Sequence, residues 1–147
     1  MDEKIITLKF KPVFENVDSA RIAVHNACRE RYQQPGSDPL ISDLLLAATE
    51  AMNNAVEHSG AKEVEIEVIA GPQGIVFRMI TAGDRFDPTA GTAFPDLDAA
   101  EELPEGGFGR ALIAEMVDSE KYEYSEGRNI LTLEKNMITK EDRTDGD

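Results

Sequence analysis

The chain has one cysteine, Cys28, and that scarcity removes two classes of protein at once. A single thiol closes no internal disulfide and builds no cysteine-rich zinc site, which leaves Cys28 the role of core filling. Basic residues are also scarce, with 15 Lys plus Arg against 29 Asp plus Glu and a net charge of −14. Such a chain repels nucleic-acid backbones and anionic membranes at long range, so direct DNA binding is disfavoured. A basic patch on a partner protein would instead be attracted. No apolar run approaches the length of a membrane span, and Met1-Asp2-Glu3-Lys4 is not a basic segment leading into a hydrophobic one. The expectation is a cytoplasmic protein. No internal repeat is visible.

What is present is ordinary globular material: 147 residues, 30% charged and 41% hydrophobic, enough for one unaided core. One domain is expected over 1–139, followed by a charged, disordered tail over 140–147. Ile5 to Phe10 is rich in β-branched residues and reads as a first strand. Asp18 or Ser19 offers an N-cap for a helix reaching about Tyr32, with Ala20, Ala23, Val24, Ala27 and Cys28 at helical period. Pro35-Gly36 signals a turn, and Asp38-Pro39 sets a second cap for a helix that runs through His58 and stops at Ser59-Gly60. Glu63 to Ile69 alternates charged with apolar residues, and Ile75 to Ile80 is more continuously apolar. With Gly71-Pro72-Gln73-Gly74 between them they read as a hairpin whose second strand lies nearer the sheet centre. Between Ala82 and Gly109 lie four glycines and three prolines, a loop of a length that signals function or mobility. Arg110 to Asp118 is a short helix. Lys121 to Tyr124 and Asn129 to Leu133, flanking Gly127, form a closing hairpin. These elements predict an α+β fold, a two-layer α/β sandwich with a mixed, mostly antiparallel sheet and helices on one face.

The second helix carries the most informative stretch. Glu50, Asn54 and His58 follow at four-residue steps and so share one face, while Ile41, Leu44, Leu45, Ala48, Met52 and Ala55 line another. A carboxylate can orient or take a proton, and a neutral amide oxygen is a hard ligand for Mg²⁺, which binds few protein groups and leaves room for phosphates. The competing reading of the same residues is a solvated polar face. Farther on, Gly107-Phe108-Gly109 opens a helix. Glycines there let backbone N–H groups approach phosphate oxygens at the positive end of the helix dipole, and Arg110 could pair with a terminal phosphate. A flexible turn beside a surface arginine fits the same letters.

Taken in order, Glu50-x-x-x-Asn54-Ala55-x-x-His58, Gly83, Phe86-Asp87-Pro88 and Gly107-x-Gly109 before a helix resemble the histidine-kinase-like (GHKL) ATPases of the Bergerat fold. More narrowly they resemble the bacterial anti-sigma-factor serine kinases, with a likeness that spans nearly the whole chain. That resemblance implies ATP and Mg²⁺ as cofactors, a sigma factor and an anti-anti-sigma antagonist protein as partners, and a homodimer. It implies Glu50 as catalytic base, Asn54 as the Mg²⁺ ligand, and a nucleotide site of Asn54, His58, Thr81, Gly83, Phe86, Gly107, Phe108, Gly109 and Arg110. One motif departs from the family pattern. Where the family has Asp-x-Gly-x-Gly-Phe, with the aspartate accepting the adenine amino group, this chain reads Thr81-Ala82-Gly83-Asp84-Arg85-Phe86. Exchanging a charge-assisted bond for a threonine hydroxyl weakens binding by about 1.5–3 kcal/mol, roughly ten- to a hundredfold.

Two functions from different classes follow. The first is a regulator that sequesters a sigma factor and phosphorylates an antagonist on serine or threonine. The alternative is a binding module of the same fold whose nucleotide site has decayed, a reading favoured by Thr81 and Arg85 and opposed by Glu50 with Asn54. A hydrolase using paired carboxylates lacks a second acid placed opposite Glu50.

Overall fold

The computed structural model describes residues 3–87 and 107–138, with backbone alone over 107–111. The loop expected between Ala82 and Gly109 lies outside the described residues over 88–106, as does the tail from Lys140. The elements run β1 (Lys4–Phe10), α1 (Phe14–Arg31), α2 (Ser37–His58), β2 (Val64–Ala70), β3 (Gly74–Ala82), α3 (Gly107–Met116), β4 (Ser119–Ser125) and β5 (Arg128–Asn136). The sheet order is β1-β2-β3-β5-β4, so β3 is the central strand. Every neighbouring pair is antiparallel, in line with the mostly antiparallel sheet expected, and no parallel pair occurs among the described residues. The β2–β3 and β4–β5 hairpins fix two of these pairings, and the second lays β5 beside β3.

Alternation along the strands makes one face of the sheet a core. Val64, Ile66, Val68 and Ala70 of β2, Ile75, Phe77 and Met79 of β3, and Leu131 and Leu133 of β5 are all buried. Their neighbours Glu65, Glu67, Arg78 and Thr132 stand on the opposite face with at least partial exposure. The helices cover the core face. α2 is central, packing against α1, α3, β3 and β5, and its buried side is wider than the expected stripe, adding Ala47, Ala51 and Asn54.

Both long helices begin earlier than their polar residues imply. α1 starts at Phe14 behind Val13, with no side-chain cap, because Val17 belongs to the buried stripe Val17, Ala20, Val24, Ala27 and Cys28. Ser19, an expected cap, instead turns its hydroxyl back to the Glu15 carbonyl at 3.4 Å. Ser37 rather than Asp38 begins α2, behind Gly36. Pro39 then falls in the first turn, where no N–H is needed, and Asp38 pairs with Arg29 at 3.3 Å. The other end of α2 is as expected, with Gly60 at φ +68 just past Ser59.

Two buried polar side chains tie the layers together. Tyr32, just beyond α1, directs its hydroxyl at the carbonyls of Gly71 (2.6 Å) and Gly74 (3.0 Å) in the β2–β3 turn. Lys135 on β5 donates to the Met116 carbonyl at 2.9 Å and lies 3.4 Å from Asp43 on α2. That ammonium caps the C-terminus of α3, where the helix dipole favours a cation. It helps to end α3 at Met116, two residues before the expected stop, and the Asp118 N–H is already bonded to the Glu134 carbonyl at 2.9 Å.

Candidate nucleotide site

The residues singled out on α2 occupy three different environments. Asn54 is 3% exposed, and its Nδ2 has no hydrogen-bond partner. A solvated polar face does not describe such a residue. Glu50, one turn earlier, is half-buried, and its carboxyl is held above the ordinary carboxylate range, first by burial and second by the charge of Glu57. Raising a carboxyl toward neutrality makes it a better proton acceptor for a hydroxyl. His58 stands at the exposed end of the helix, its Nε2 3.7 Å from the Glu57 carboxylate. Glu50 and Asn54 are thus adjacent and withdrawn from solvent, whereas His58 is about 12 Å along the axis from Glu50 at 1.5 Å per residue and faces water.

Gly107, Phe108, Gly109 and Arg110 form the first turn of α3, so the glycines are part of the helix rather than a loop ahead of it. Of these four only the backbone is described. Their orphan N–H groups are the ones a helix start offers to an anion, and α3 packs on α2, the helix that carries Glu50 and Asn54.

Thr81, 2% exposed, sits on the core face of β3, opposite Val64 on β2 and Asn129 on β5. Gly83 follows with φ +139, a conformation L side chains rarely adopt, and no atom lies within 4 Å of where its Cβ would be. Backbone freedom, not space, therefore requires glycine here. Phe86 is half-buried against the core. Arg85, in the place of the family's second glycine, is exposed and lies over the rings of Tyr122 at 5.6 Å and Tyr124 at 5.8 Å.

The sequence reading passed over Asn129, Tyr122 and Tyr124. Asn129 accepts at Oδ1 from the Phe86 N–H and from the Tyr122 hydroxyl, both at 2.6 Å, and donates from Nδ2 to the carbonyls of Asp84 (2.9 Å) and Thr81 (3.5 Å). The Tyr124 hydroxyl donates to the Gly83 carbonyl at 2.9 Å. A signal was available: Asn129 is the polar member of the inward row Asn129, Leu131, Leu133 on β5. Below Tyr122, Glu120 has a buried Oε2 without a partner, and its carboxyl is pushed up by burial and then by Asp87.

The donor set suits a magnesium-bound phosphate on one side and an adenine less well on the other. Glu50 and Asn54 carry hard oxygens suited to a cation, and the unpartnered Nδ2 of Asn54, a donor, suits an acceptor such as a phosphate oxygen. Among the described residues no group of three or more His, Cys, Asp or Glu could hold a metal, so a cation here would depend on phosphate oxygens as well. At position 81, where the family motif has an aspartate, the side chain is a buried neutral hydroxyl.

A five-stranded antiparallel sheet carrying helices on one face, with Glu50 and Asn54 on the central helix and glycines opening the next, defines a two-layer α/β sandwich. The family model for the histidine kinase-like ATPase domain matches residues 12–135, and the chain belongs to that family. Membership implies nucleotide binding. Among solved structures, the RsbU and RsbW domains of Rv1364c from Mycobacterium tuberculosis are similar, with a TM-score of 0.58 and 17% identity over 89% of this chain. The chain spans only 32% of that one, and at this identity the likeness is one of fold. No curated protein matches. No helix among the described residues is long and apolar enough to cross a membrane.

Proposed function

We propose that the protein is an ATP-dependent serine/threonine kinase of the anti-sigma-factor type, which sequesters a sigma factor and phosphorylates an antagonist protein. The observation that carries the nucleotide half is Asn54, a buried carboxamide with an unused donor, one helical turn from a half-buried Glu50 whose carboxyl is raised. The resemblance of the ordered motifs to the anti-sigma-factor kinases supports the partners, and the net charge of −14 suits a basic partner surface. Mg-ATP, when bound, supplies the transferable phosphoryl group and the cation that screens its charge. Glu50 orients the acceptor hydroxyl and takes its proton. Asn54 would offer its amide oxygen to the cation, and the first-turn N–H groups of α3 would hold the phosphates. The Bergerat kinases' homodimer and cytoplasmic location belong to the same proposal.

Thr81 favours a second reading, in which the fold and its docking surface are retained without catalysis. It is buried where base recognition needs a strong acceptor, and Arg85 is engaged with two tyrosines rather than leaving a flexible glycine. Calorimetric titration with ATP and Mg²⁺ separates the two. Saturable binding, followed by phosphate transfer to a protein captured by the chain, supports the kinase. Capture of a partner with no heat on ATP addition supports the binding module and refutes the kinase.

A further inference from the structure

Asn129 occupies an expensive position. It is 4% exposed on the same inward row as Leu131 and Leu133, and a carboxamide there costs free energy unless its capacity is used. All of it is used, in the bonds to Phe86, Tyr122, Asp84 and Thr81. The orientation of the amide is dictated as well. The Phe86 N–H can only donate and the two carbonyls can only accept, so exchanging Oδ1 and Nδ2 would break three contacts. The ladder of β3 ends at Ala82, yet the next residues stay held by the β4–β5 hairpin. Gly83 donates its N–H to the Gly127 carbonyl at 2.9 Å and accepts from Tyr124, while Asp84 and Phe86 are held by Asn129.

We propose that Asn129, buttressed by Tyr122, is the positioning residue of the nucleotide loop. It fixes the backbone from Thr81 to Phe86 in the form that receives the base, continuing by side-chain bonds what the strand ladder stops doing at Ala82. This role rests on the reading of the site as a nucleotide site. With both ends of its carboxamide consumed, Asn129 does not itself read the base. Arg85 lies over the two tyrosines whose hydroxyls complete the clamp.

The test uses Asn129→Leu, which removes the four bonds but keeps a branched shape, and Tyr122→Phe, which removes one donor and keeps the ring under Arg85. Two quantities are measured: exchange of the Phe86 amide in the free protein, and Mg-ATP affinity by calorimetry. Phe86 exchange should accelerate by about tenfold or more in Asn129→Leu, with affinity falling by a similar factor and exchange at Val68 in β2 unchanged. Smaller changes in the same direction are expected for Tyr122→Phe, and that variant carries the test should Asn129→Leu not fold. A merely structural asparagine would speed exchange at Val68 as well as at Phe86 and leave affinity untouched, which would overturn the proposal. Equal affinity in parent and variants overturns this role alone, whereas a parent that binds no Mg-ATP overturns the nucleotide reading and this role with it.

Discussion

Replacing Asn54 by leucine should make the free protein more stable and its nucleotide site useless. Asn54 is 3% exposed with an unpartnered Nδ2. Leaving a buried amide donor unmatched costs about 1–3 kcal/mol. Leucine keeps the branched outline without polar atoms, although its greater bulk against Ala51, Ala55 and their neighbours takes back part of the gain. A net stabilisation of about 1–2 kcal/mol remains, which for a domain of this size raises the melting temperature by roughly 3–8 °C. Mg-ATP at a hundredfold excess over its dissociation constant adds about 2.7 kcal/mol to the parent, and a side chain with no oxygen should forfeit most of that increment. Thermal unfolding with and without Mg-ATP therefore reverses the ranking: the variant melts higher without nucleotide and the parent melts higher with it. A variant that melts well below the parent without nucleotide would show that the carboxamide is already satisfied in the free protein. An undiminished Mg-ATP shift would remove Asn54 from the site.

Glu50→Gln should abolish phosphate transfer while leaving nucleotide affinity nearly intact, and transfer at the parental rate would exclude Glu50 as the base. Because burial and Glu57 raise the Glu50 carboxyl in the folded state, its contribution to stability is full below the unfolded carboxylate range and lost as pH rises through the folded value. The glutamine variant should accordingly gain on the parent in urea midpoint between acid and neutral pH, and a pH-independent difference would contradict the burial account. Thr81→Asp should tighten ATP more than GTP, since a carboxylate accepts from the adenine amino group and repels the guanine carbonyl, at a cost in free-protein stability because position 81 is buried. Unchanged ATP affinity in a parent that already binds tightly would mean that another group reads the base. Cys28, buried and with its thiol pushed up to about 12, should resist alkylation in the native protein and react only on unfolding; rapid native labelling would refute its place in the core.

Local periodicity was enough to place the fold. The alternation of Val64 to Ala70, the three- and four-residue steps from Ile41 to Ala55, and glycines after His58 and in both hairpin turns specify elements whose ends depend mostly on near neighbours. The ordered motifs likewise singled out Glu50, Asn54 and the α3 glycines as candidates, because each lies in one short segment. Helix starts were misread where a polar residue resembled a cap, since burial of Val17 and Ser37 extends the helices past Ser19 and Asp38. Tertiary structure alone decided the rest. Residues 43 to 48 positions apart meet when β5 lies beside β3, and so Asn129 reaches Thr81, Asp84 and Phe86. Equally, Glu50, Asn54 and His58 share a helical face by spacing, yet α2 runs from the packed interior to solvent, so Asn54 is buried and His58 exposed. Periodicity states which side of a helix a residue occupies, but how much water reaches it depends on what other segments of the chain pack over that turn.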